Sequence, residues 1–183
     1  MTSNCPSAEL TRVTEKYGID PNDVKNITVC VNRPRVGVGV LLVSDLYPNS
    51  VLIGQRKGSH GAGKYALPGG HLELNESWWD CVQKEIFEEC GIMLAEGSNR
   101  HSMIHVTNDV MREEGRHYIT IFMAVKISNE QTASIVNNEP NKCEEWQWLP
   151  IETIRSKSLF IPLQNFIQEN GFELLANFVR SCN

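Results

Sequence analysis

The stretch GGHLELNESWWDCVQKEIFEECGI, residues 69–92, decides the fold, because it runs from a glycine-rich loop into a helix with an unusual load of acid. At about 100° per residue Glu85, Glu88 and Glu89 fall on one side of that helix, where like charges at helical spacing repel. A helix with a purely structural role has little reason to keep them together, and a cation between the carboxylates relieves the repulsion. Trp79, Val82, Ile86 and Cys90 make an apolar stripe on a neighbouring face, so one side buries and the other is free to coordinate. Asn75 or Ser77 supplies the N-cap, with Glu76 in the first turn, and Gly91 ends the helix. In isolation Glu-x-x-Glu-Glu reads as a solvated acidic face. Joined to the glycines and to Glu76 at fixed offsets, it reads as a site for magnesium or manganese, which take hard oxygen ligands.

Upstream, RVGVGVLLV (residues 35–43) and VLIGQR (51–56) are β-rich runs around the turn SDLYPNS, and they read as a hairpin or adjacent strands. The loop GSHGAGKY (58–65) has P-loop spacing as far as Lys64, but Tyr65 replaces the magnesium-binding hydroxyl. ALPGG follows where a phosphate-cradling helix should begin, so a loop between strands is the better reading. Downstream, HSMIHVTNDVM and HYITIFMAVKI alternate as two strands joined by the polar turn REEG. EEWQWLP makes a last strand, and helices are expected at 151–155, 159–169 and 172–179. A mixed α/β domain results, preceded by a polar lead-in in which SAELTRVTEKYGI has short-helix character. The expected layout is an extension at 1–32, a domain at 33–175 and a tail at 176–183. The tryptophans Trp78, Trp79, Trp146 and Trp148 read as packing residues.

At 183 residues the chain is long enough for one cored domain, and its net charge of −5 argues against nucleic-acid polymers and anionic membranes as partners. No run is long and apolar enough to span a membrane, and no signal-peptide pattern is seen, so the expected address is cytoplasmic. The six cysteines form no C-x-x-C pair and read as free thiols.

Gly70, Glu76, and then Lys84, Glu85, Ile86, Glu88, Glu89, Gly91 and Ile92 at fixed spacing resemble the Nudix box, the signature of the Nudix hydrolase superfamily. The match departs at Lys84, where the family usually has arginine; the charge is kept but a two-pronged planar partner is lost. The resemblance covers residues 33–172. It implies an α/β fold, an α/β/α sandwich with a mixed sheet between helices, and hydrolysis of a diphosphate linkage. Glu85, Glu88 and Glu89 would be catalytic metal ligands for Mg2+ or Mn2+, with the Gly69 carbonyl a further ligand.

RVGVGV, GQRKGSHGAGKYALPGGHLE, HYITIFM and EPNKCEEWQW look like the MutT-homologue branch of eukaryotic nucleoside triphosphate diphosphatases. Members cleave nucleoside triphosphates, oxidised dGTP among them, to monophosphate and diphosphate, and commonly form homodimers. By that similarity Arg56 faces the phosphates, and Thr120, Leu159, Phe160 and Leu163 lie near the base pocket. Ile161 and Pro162 follow Phe160 where the human-type pattern has tryptophan. The alternatives are a hydrolase of another diphosphate, such as NADH, a nucleotide sugar or a prenyl diphosphate, and a catalytically silent nucleotide-binding module. The silent module should have lost a box carboxylate, and all are present.

Overall fold

The computed structural model describes residues 33–182 apart from 59, 96 and 98. The extension 1–32, with its expected short helix, lies outside the described residues. Side-chain alternation along β1 (Arg35–Val43) divides the core in two: Val38, Val40 and Leu42 enter one apolar cluster, Leu41 and Val43 the other. β2 (Ser50–Arg56) repeats the division, sending Leu52 one way and Val51 and Ile53 the other. Two short strands follow, β3 (Tyr65–Ala66) and β4 (Gly69–His71), then α1 (Trp78–Cys90). β5 (His101–Met111) and β6 (Arg116–Lys126) form the expected hairpin, and Gly115 in its turn takes a φ of 61°. The chain continues through α2 (Asn129–Ala133), β7 (Cys143–Pro150), α3 (Ile151–Ile154), α4 (Ile161–Gln168) and α5 (Gly171–Ser181).

The strands form a four-stranded sheet in the order β4-β1-β6-β5 and a three-stranded sheet in the order β3-β2-β7. The pairing of β1 with β6 is parallel and the rest are antiparallel, so the larger sheet is mixed. One cluster contains Cys81, Val82, Ile86 and Cys90 of α1; the other contains Leu163 and Phe166 of α4 with Phe172, Leu175 and Phe178 of α5. Helices therefore cover both faces, and the fold is the α/β/α sandwich that the sequence led us to expect. Phe166 stacks on Phe122 at a centroid distance of 4.5 Å and meets Phe172 edge-on at 5.8 Å. Burying each such ring contributes about 1.5–3 kcal/mol.

The structure corrects one strand assignment. β1 and β2 are neither a hairpin nor neighbours in a sheet, because both edges of β1 are taken, by β4 and by β6, while β2 lies between β3 and β7. Local turn chemistry carried no sign of this, since the partner of β1 lies some 80 residues downstream. The division expected after residue 175 falls inside α5, which continues to Ser181 and buries Phe178, so this helix is part of the core. The loop 58–65 enters strand β3 at Tyr65 rather than a helix, which removes the P-loop reading. Among the described residues no helix is long and apolar enough to cross a membrane.

Candidate active site

The acidic helix is fixed at both ends. Ser77 Oγ accepts the Asp80 amide at 3.1 Å and Asp80 Oδ2 accepts the Ser77 amide at 3.0 Å, a reciprocal cap. Of the two candidate caps Ser77 serves; Asn75 instead turns the chain with a φ of 67°. At the other end Gly91 takes a φ of 72° and donates its amide to Phe87 O. The last carbonyls are satisfied from outside the helix: Val136 N donates to Cys90 O at 3.0 Å, and Asn138 N and Trp146 Nε1 each donate to Glu89 O at 3.1 Å. Trp146 thus does more than pack.

Two features set the angle of the glutamates. Gly69, at a φ of 142°, lies so close to Val38 O that an added Cβ would stand 2.1 Å from it, and its amide donates to Glu89 Oε2 at 2.9 Å. Glu76 stays outside the helix, accepts the Glu73 amide at 2.9 Å and pairs with Lys84 at 2.9 Å. Lys84 Nζ also stands 3.6 Å from Glu85 Oε1, so this lysine joins the loop to the helix.

The carboxylates carry an electrostatic cost that the protein alone does not offset. Burial pushes the Glu89 carboxyl up to about 8, against the opposing Gly69 hydrogen bond, with Glu85 and Glu139 adding to the rise. Burial likewise raises Glu85, with Lys84 opposing and Glu88 reinforcing. Glu88 and Glu89 also occupy the last turn of α1, where the helix dipole disfavours negative charge and no basic side chain is present. A hard dication would relieve all three effects, so the donor set fits magnesium or manganese. Among the described residues no three His, Cys, Asp or Glu side chains converge closely enough to enclose an ion.

These glutamates border a cleft of about 540 Å³. Arg56, Lys57 and Lys142 line the same cleft and supply positive charge. The Arg56 guanidinium lies over the Phe160 ring at 4.5 Å and Nε donates to His60 O at 3.0 Å; burial lowers its pKa while Glu89 opposes. Thr120, Phe160 and Leu163 line the cleft as well, whereas Leu159 is 9% exposed, packs in the apolar core and bridges to Tyr65. Four of the five expected substrate-facing residues are thus brought together with the glutamates, and Leu159 stands behind them.

The structure adds residues that sequence reasoning left without a role. His60 meets Phe160 edge-on at 5.0 Å and sets Nδ1 against Glu114 Oε2. Tyr118 shares a 3.1 Å hydrogen bond between its hydroxyl and His71 Nε2. Beneath Thr120, Asp109 is fully buried. Strand alternation does contain a signal for Asp109, since Thr107, Asp109 and Met111 share the inward face of β5. The described cysteines are free, and burial pushes Cys81 up to about 12 and Cys143 up to about 11, so these two thiols stay protonated.

A family model for the NUDIX domain matches residues 33–169. Among solved structures, the MutT NUDIX hydrolase of Burkholderia pseudomallei is similar at 28% identity and a TM-score of 0.56, over 66% of this chain and 85% of that one. The MutT protein of Methanosarcina mazei Go1 aligns at 20% identity and a TM-score of 0.59, over 82% and 97%. The NUDIX domain of Shewanella oneidensis NrtR, solved in complex with ADP ribose, aligns at 18% and 0.55, over 83% and 97%. The last two likenesses speak for the fold alone. With the domain model spanning most of the described residues and Glu85, Glu88 and Glu89 of the box helix lining one cleft, the chain belongs to the Nudix hydrolase superfamily.

Proposed function

We propose that the protein is a magnesium-dependent nucleoside triphosphate diphosphatase, releasing monophosphate and diphosphate from (d)NTPs, modified dGTP among them. The Nudix fold implies diphosphate hydrolysis; the choice of triphosphate is our reading. The observation that carries it is the composition of one cleft, in which Glu85, Glu88 and Glu89 adjoin Arg56, Lys57 and Lys142 and the apolar group Phe160 and Leu163. Its volume of about 540 Å³ suits a nucleotide-sized ligand.

In this reading Glu85, Glu88 and Glu89, with the Gly69 carbonyl, hold the dication. When bound, that ion neutralises charge on the diphosphate and lowers the pKa of water. Arg56 binds phosphate oxygen and is held in place by the Phe160 ring and the His60 carbonyl, so little freedom is lost on binding. Lys84 holds Glu85 toward the cleft, and Gly69 holds Glu89. Thr120, Phe160 and Leu163 receive the base, with Leu159 supporting Phe160 from the core. A homodimer and a cytoplasmic address complete the reading.

The test is product analysis with purified protein and magnesium across dGTP, oxidised dGTP, dCTP, ADP-ribose, NADH and geranyl diphosphate, with Glu89→Gln as blank. Monophosphate and diphosphate from the triphosphates support the proposal. Turnover confined to another diphosphate assigns a different leaving group, and silence throughout favours a binding module. Sedimentation equilibrium checks the dimer.

A further inference from the structure

Thr120 lines the cleft, and its hydroxyl is not free to choose a role. Its Oγ1 donates to Asp109 Oδ2 at 2.5 Å. Thr107, directly opposite Thr120 on the neighbouring strand, donates to the same oxygen at 2.9 Å. Asn165 Nδ2, on α4, donates to the other carboxylate oxygen at 2.7 Å. Asp109 is 0% exposed, and all three of these partners are neutral donors. A hydroxyl has a single proton, and in this geometry both threonines direct theirs at the Asp109 carboxyl. The proton of Thr107 is committed in the same way, so it does not occupy the lone pairs of Thr120.

The side of Thr120 that faces the cleft therefore presents lone pairs. Gly37 pairs with Thr120 in the parallel register and has no side chain to cover them; a Cβ built there would stand 3.8 Å from Oγ1. A hydroxyl fixed as an acceptor in the cleft that Phe160 and Leu163 also line accommodates a ligand N–H and is left unpaired by a ligand that offers another acceptor.

We propose that Asp109, acting as a positioning residue, fixes the Thr120 hydroxyl as an acceptor, so that the cleft selects a nucleobase edge presenting an N–H donor at that point. This rests on the reading of the cleft as a nucleoside triphosphate site. It goes beyond that reading by giving the base pocket a hydrogen-bond polarity and by assigning that polarity to a residue that does not touch the ligand.

The experiment measures kcat/KM for pairs of triphosphates differing in one N–H-bearing group: dGTP against dITP, dGTP against N1-methyl-dGTP, and dATP against purine deoxyribonucleoside triphosphate. The native protein should favour the donor-bearing member of at least one pair by about tenfold or more. Thr120→Val should bring that ratio to within about twofold of unity, while Thr120→Ser keeps it. In Asp109→Asn the residue-109 oxygen facing Asn165 can stay in place while its amide donates to Thr120, freeing the Thr120 proton toward the cleft. The ratio should then collapse or invert, which a uniform loss of stability would not produce. Should Asp109→Asn fail to fold, the Thr120 pair still decides. A native protein without preference in any pair, or a ratio that survives in Thr120→Val, overturns the proposal while leaving triphosphate hydrolysis standing. Absence of triphosphate turnover in the native protein overturns both.

Discussion

Replacing Gly70 with alanine should cut activity on the order of a hundredfold while leaving the fold intact. Gly70 pairs with Val38 of β1, and its backbone lies outside the positive-φ region, so alanine fits the main chain. The added Cβ would stand 2.2 Å from Glu85 Oε1 and 2.3 Å from Cδ, where ordinary contact begins at 3.4 Å. The carboxylate must therefore retreat by about 1 Å, and its 3.6 Å approach to Lys84 is disturbed with it. A misplacement of about 1 Å at a reacting centre costs on the order of 10²-fold in rate. Stability should barely move: Gly to Ala at a compatible site gains about 0.4–1 kcal/mol through the unfolded chain, and disturbing a partly exposed ion pair loses about 0–1 kcal/mol. The assay is kcat at saturating magnesium with the best substrate of the panel, beside urea denaturation of the same preparation. A folded Gly70→Ala protein with native kcat would refute the placement of Glu85 against this loop. A loss of more than about 3 kcal/mol would refute the claim that the clash falls on a movable side chain.

Metal-free protein should lose stability as pH rises. Because the Glu89 carboxyl moves from 4.5 to about 8, the folded state keeps a proton that the unfolded chain has released. Its contribution is full below pH 4.5 and is lost as pH rises through 8, at up to about 1.4 kcal/mol per pH unit. Urea denaturation in EDTA at pH 5 and pH 8 checks this: Glu89→Gln should flatten the dependence, and added magnesium should restore stability at pH 8 in the native protein but not in the variant. Equal pH slopes for the two proteins would remove Glu89 as the cause. Lys84→Arg should maintain or raise kcat by giving Glu76 and Glu85 a two-pronged partner, and a tenfold fall in a folded variant would give Lys84 a role of its own.

The parts of this molecule that were legible in its sequence are those set by local rules. The capped acidic helix, the hairpin of β5 and β6, and the glutamate set all follow from spacing, capping chemistry and charge. The pairing of β1 with β6 was not legible, because a parallel partner far along the chain leaves no local mark. Leu159 and Phe160 show the limit at the site: both are apolar neighbours just ahead of one helix, α4. The chain turns Phe160 to the cleft and Leu159 to the core because Leu159 bridges to Tyr65. His60 was equally hidden, since its place depends on a loop that returns toward Glu114 on another hairpin.

Glu89 is tied at three points: its carboxylate to Gly69, its carbonyl to Asn138, and the same carbonyl to Trp146 of β7. Trp146 follows Glu89 by 57 residues. A chain emerging from the ribosome can therefore make the acidic helix early but cannot set its angle until the last strand has arrived. Contacts of such long sequence separation form late in folding. The protein should thus remain silent through most of its own synthesis, and hydrolytic competence should appear as a single late event instead of growing with chain length.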